Sequence, residues 1–73
     1  MIQVTFLDMT VEINKALLSE SEFDIDFNGQ MLVRFENNSD DKFQKFVAIN
    51  AMNGYGQNIR DEVFGKELII EDC

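Results

Sequence analysis

Ile2, Val4 and Phe6 alternate with Gln3 and Thr5 at the start of the chain, the two-residue period of a strand that buries one face. From Met9 onward the pattern supports two periods at once. Met9, Ile13, Ala16 and Leu17 fall at helical spacing, with Asp8 or Thr10 as an N-cap. Met9, Val11 and Ile13 also alternate with Thr10 and Glu12, as a first strand continued through a bulge near Leu7 and Asp8 would. Asn14 to Leu18 reads poorly as strand, so the spacing predicts a helix from Thr10 to Ser19.

The alternation returns at Phe23, Ile25 and Phe27, and again at Met31, Val33 and Phe35, on either side of Asn28-Gly29. Asn-Gly between alternating runs predicts a β-hairpin. A two-residue loop would set Asp26 against Met31 and Asp24 against Val33. A three-residue loop, Asn28 to Gln30, pairs Phe27 with Met31, Ile25 with Val33 and Phe23 with Phe35, and gathers these apolar side chains on one face. A one-residue slip would send a whole apolar set into water, so burial selects the second register over the local turn preference. It leaves Glu22, Asp24, Asp26, Arg34 and Glu36 on the opposite face, with Leu32 as an apolar intruder.

Ser39 followed by Asp40 and Asp41 has the composition of a helix start, and Phe43, Phe46, Val47 and Ala51 share a helical face ending near Asn53-Gly54. The preferred reading is therefore a helix over 40–52, with a third hairpin strand through KFVAIN as its competitor. MNGYGQN reads as loop, Ile59 to Phe64 as a short turn of helix or strand, and Glu67 to Glu71 as a final strand. The expected fold is a single α+β domain over 1–73. In it a small antiparallel sheet of three to four strands, centred on the 23–36 hairpin, carries one or two helices on one face.

Composition narrows the chemistry more than the fold. The chain of 73 residues has no His and a single Cys, Cys73, which removes the usual zinc patterns and an internal disulfide. No imidazole base, activated nucleophile or glycine-rich phosphate loop is present. The expectation is a non-enzyme without a cofactor. No basic segment precedes an apolar run and no long apolar stretch exists, so the expected compartment is the cytoplasm. Fourteen acids against six bases give a formal charge of −8, a field that repels nucleic acid and anionic membranes and favours basic protein surfaces.

DIDFNG resembles the opening of an EF-hand loop, with Asp24, Asp26 and Asn28 at alternate ligand positions and Gly29 at the sharp turn. The bidentate Glu which that family places at the twelfth position falls here on Phe35, and Ile25 and Phe27 would be pushed into solvent. The hairpin is the preferred reading, with no metal ligands assigned. The second candidate is a ladder of carboxylates. Alternate strand residues stand about 6.6 Å apart, a step comparable to that between successive phosphates, so Glu22, Asp24 and Asp26 can stand in for a nucleic acid strand before a Lys- and Arg-lined groove.

Short, acidic, intracellular chains poor in His and Cys resemble small phage-encoded inhibitors of restriction or CRISPR machinery. That resemblance implies stoichiometric inhibition of a nucleic-acid-handling enzyme. The candidate partner-binding residues are Glu22, Asp24, Asp26, Glu36 and Tyr55. Tyr55, between two glycines, is either an anchor for a partner or a plug on the core edge, and the plug is the preferred reading. The alternative function is an antitoxin or immunity-like protein that neutralises a basic toxin. Unpaired sheet edges leave a homodimer open.

Overall fold

Six strands carry the chain in the computed structural model, which describes residues 1–71; Cys73 and Asp72 lie outside the described residues. The strands are β1 (Ile2–Phe6), β2 (Met9–Ile13), β3 (Glu22–Phe27), β4 (Met31–Asn37), β5 (Phe46–Asn53) and β6 (Ile69–Glu71). A 3-10 turn, Lys15–Ser19, and a short helix, α1 (Arg60–Val63), are the helical elements among the described residues. The strands form two three-stranded antiparallel sheets, ordered β2-β1-β6 and β3-β4-β5. The expected α+β architecture is therefore corrected to a mostly β one.

Both expected long helices are absent, for different reasons. Over 10–19 the alternation of Met9, Val11 and Ile13 wins: β2 pairs with β1 from Phe6↔Met9 to Ile2↔Ile13, which lets both strands bury apolar residues on one face. Helical structure begins only after Asn14, whose side chain accepts from Ala16 N at 3.0 Å, and it lasts one turn of 3-10 type that buries Leu18. Over 40–52 the acidic cap exists but closes a loop. Asp40 Oδ1 accepts from Lys42 N at 2.8 Å and from Phe43 N at 3.0 Å, and the chain then enters β5 instead of a helix.

The expected hairpin is present in the expected register, with Phe23↔Phe35, Ile25↔Val33 and Phe27↔Met31. Burial and turn preference do not compete, because Asn28 and Gly29 keep positive φ values of 59° and 76°, and Gln30 N donates to Phe27 O at 3.0 Å. Gln30 is taken up as the extra residue.

The core lies between the two sheets. Phe6 of β1 reaches across to Phe35 of β4, with ring centroids 5.2 Å apart in an edge-on arrangement, and to Phe27 of β3 at 5.9 Å. Phe23 packs on Phe46 at 5.4 Å. Such aromatic pairs contribute about 0.5–1.5 kcal/mol each beyond area burial, which matters in a chain this short. The segment 65–68 lies along β5, with Gly65 N donating to Ala48 O, Ala48 N to Lys66 O and Leu68 N to Phe46 O. Immediately afterwards β6 pairs with β1. This one stretch stitches the sheets along one side, while the outward residues of β3 and β4 stay exposed or half-buried.

Candidate acidic binding face

The outer face of β3 and β4 is built by alternation alone. Burying Phe23, Ile25 and Phe27 forces Glu22, Asp24 and Asp26 outward, and burying Val33 and Phe35 does the same for Leu32, Arg34 and Glu36. Across the strands Glu22 faces Glu36, Asp24 faces Arg34 and Asp26 faces Leu32. Glu20 joins the same surface, since a shallow depression is lined by Glu20, Glu22, Phe23, Asp24 and Arg34.

The carboxylates have different local work. Asp24 and Arg34 form a two-pronged pair, Nε to Oδ1 at 2.9 Å and Nη2 to Oδ2 at 3.4 Å. The hydrogen bonds that Arg34 donates to Asp24, then the charge of Asp24, raise the guanidinium above its ordinary pKa against an opposing effect of desolvation, with the charge of Glu22 the weakest contribution. Asp26 accepts from Gly29 N at 2.8 Å through Oδ1, which braces the Asn28-Gly29 turn and leaves Oδ2 free of that bond. Among the described residues Glu20, Glu22 and Glu36 have no basic partner within ion-pair distance. Glu22 and Glu36 stand directly opposite each other, a like-charge arrangement that destabilises a sheet.

DIDFNG is thus strand and turn. Asp24 is held by Arg34 and Asp26 by the turn, on a surface where Ile25 and Phe27 point the other way, and no group of three or more metal-binding side chains converges among the described residues.

Tyr55 is 92% exposed, which overturns the expected plug. Its turn is ordered by Asn53, whose Oδ1 accepts from Tyr55 N at 2.9 Å and from Gln57 N at 3.0 Å. That turn rests on the hairpin turn, for a Cβ placed on Gly54 would stand 3.0 Å from Gly29 O. Tyr55 therefore belongs to the same end of the sheet as Asp26. The structure also adds two residues to the candidate surface. Leu32 and Met52 pair across β4 and β5 and are 42% and 40% exposed, an apolar step between the acid row and the Tyr55 turn. Leu32 carried a signal in the sequence as the apolar residue on the wrong side of its strand. Met52 carried none, because the sequence sets it at the start of the MNGYGQN loop.

No helix among the described residues is long and apolar enough to cross a membrane. Fold and surface together define a small, mostly β protein with an acidic outer sheet face. Comparison of the chain with protein-family models, curated proteins and solved structures gave no match, so the function rests on the surface itself.

Proposed function

We propose that the protein is a small acidic protein-binding module of the cytoplasm that inhibits a nucleic-acid-handling enzyme by occupying its basic groove. Glu22, Asp24, Asp26 and Glu36 supply the charge, and Tyr55 supplies an apolar contact at the turn end. The observation that carries the reading is Glu22 opposite Glu36. Like charges directly opposed weaken a sheet, a basic residue at either position would strengthen it, and no cation among the described residues lies within ion-pair distance of either. Repulsion kept on an exposed face fits a surface that serves a positively charged partner.

The test is a capture experiment from the native host with the wild-type protein and Glu36→Lys. The substitution is expected to raise the melting temperature, by completing a cross-strand pair, and to release the partner. Duplex DNA or RNA is expected to compete for the same partner, and capture is expected to fall steeply with salt. A partner that is retained by the variant, or that binds nucleic acid and this protein together, would sink the proposal.

The antitoxin or immunity-like reading is the second one, favoured by the exposure of Tyr55. It differs in outcome: capture of a basic toxin would depend on Tyr55 more than on the acid row, would persist at high salt and need not be displaced by nucleic acid.

A further inference from the structure

Residues of β3 alternate in the edge that their backbone serves. Asn37 N donates to Ser21 O at 2.8 Å, and Ser21 lies opposite Asn37 in the register that sets Glu22 against Glu36. Bonded and non-bonded pairs alternate along an antiparallel ladder. Phe23, Ile25 and Phe27 therefore bond to β4, while Glu22, Asp24 and Asp26 direct their N–H and C=O groups to the other edge. Among the described residues β4 is the only ladder neighbour of β3, and no hydrogen bond reaches those backbone groups. The three residues that carry the acid row thus also carry a free strand edge.

We infer that this edge accepts an added antiparallel strand from a protein partner, an extended segment with Lys or Arg at alternate positions. Backbone groups of the incoming strand would satisfy the edge, and its residues opposite Glu22, Asp24 and Asp26 would place their side chains on the same outer face, where only a basic residue complements the row. A second copy of the chain does not fit. Antiparallel self-pairing centred on Asp24 sets Asp24 against itself and Glu22 against Asp26, so the charge that guards the edge from self-association also selects the sign of the occupant. The inference rests on the proposed role of the acidic face and specifies how that face is engaged.

The probe is a synthetic peptide alternating Lys with Val or Thr, in three forms: unmodified, N-methylated on its Lys residues, and N-methylated on the intervening residues. In the inferred register Lys N–H groups point at β3, so methylating Lys is expected to weaken binding at least tenfold and methylating the others to leave it within about twofold. Amide exchange at Glu22, Asp24 and Asp26 is expected to be fast in the free protein and slowed by the unmodified peptide. Equal binding by both methylated forms, unchanged exchange at these three amides, or no peptide binding at low salt would overturn the inference. The two proposals fail separately. A captured partner that nucleic acid displaces, with those amides still unprotected, retains the groove reading and removes the added strand. Protected amides with a partner indifferent to nucleic acid do the reverse.

Discussion

Asp24 and Arg34 face each other across β3 and β4, with Nε 2.9 Å from Oδ1, in the middle of the acid row. The pair is half exposed, and exposed pairs add little to stability. Its larger effect is on the surface, where it cancels one charge between Glu22 and Asp26. Arg34→Gln is expected to leave the fold and melting temperature close to wild type while strengthening capture of a basic partner at low ionic strength. The gain should vanish at high salt, where the Debye length falls to ~3 Å. Isothermal titration at two salt concentrations checks both parts; weaker binding at low salt would show that Arg34 itself touches the partner.

Leu7 holds φ at 56° in the two-residue turn between Phe6 and Met9, and the residue is about half exposed. A Cβ in that region is disfavoured. Leu7→Gly removes the strain at the cost of a more flexible unfolded chain. The expected net result is stabilisation of about 1 kcal/mol, read as a rise in melting temperature of about 4–8 °C. A fall would mean that the Leu7 side chain makes a contact worth more than its backbone strain.

How far the sequence revealed this molecule depends on where its period was clean. The 23–36 hairpin was legible because both strands alternate without interruption and only one register buries both apolar sets. β5 was not. The ladder shifts between Arg34↔Asn50 and Phe35↔Ala48, so Ile49 is an extra residue, and the inward side chains Phe46, Ala48 and Ala51 are spaced two and then three apart. That bulge broke the two-residue period and left a spacing that mimics a helix. Asp40 adds to the ambiguity, because a side chain accepting from the N–H groups two and three residues onward is the same chemistry at a helix start and in a turn. The acid row was legible for the same reason as the hairpin. The free edge of β3 was legible only once its neighbours were known.

The Asn28-Gly29 turn offers a test of how Gln30 is accommodated. Asn28 and Gly29 already have positive φ, and Phe27 and Met31 already pair. Deleting Gln30 would leave these two residues as a two-residue loop with every cross-strand pair intact. The shortened protein is expected to fold with unchanged Phe23–Phe35 and Ile25–Val33 proximities, measured by cross-strand nuclear Overhauser effects. A chain that unfolds, or slips its register, would show that Gln30 is needed where it is.

Asp40 links the loop after β4 to pH. Hydrogen bonds from Lys42 N and Phe43 N, in that order, lower its pKa from the ordinary value. A folded-state pKa below the unfolded one means that the contribution is fully present above the unfolded carboxylate range and is lost as pH falls through the depressed folded value. Amide exchange at Lys42 and Phe43, corrected for the intrinsic pH dependence, should therefore show reduced protection in acid. In Asp40→Ala protection should be low at every pH. Full protection of these amides in Asp40→Ala would assign the loop's order to Ser39, whose Oγ accepts from Lys45 N at 2.9 Å.

Tyr55 separates the proposed use of the surface from the stability of the fold. The ring is almost wholly exposed, while its backbone is fixed by Asn53 in a turn that rests on the hairpin turn. A large side chain held in water on an ordered turn loses little entropy when it docks, the condition that makes Tyr an efficient contact residue. Tyr55→Ala is therefore expected to leave the unfolding midpoint unchanged and to weaken partner capture about tenfold or more, on the order of 1.4 kcal/mol. Gly54→Ala is its structural counterpart, for the added Cβ presses on Gly29 O and should lower the midpoint while leaving the ring in place. If Tyr55→Ala lowers the midpoint as much as Gly54→Ala does, the ring packs on the domain in solution and the acid row has no aromatic anchor at its turn end.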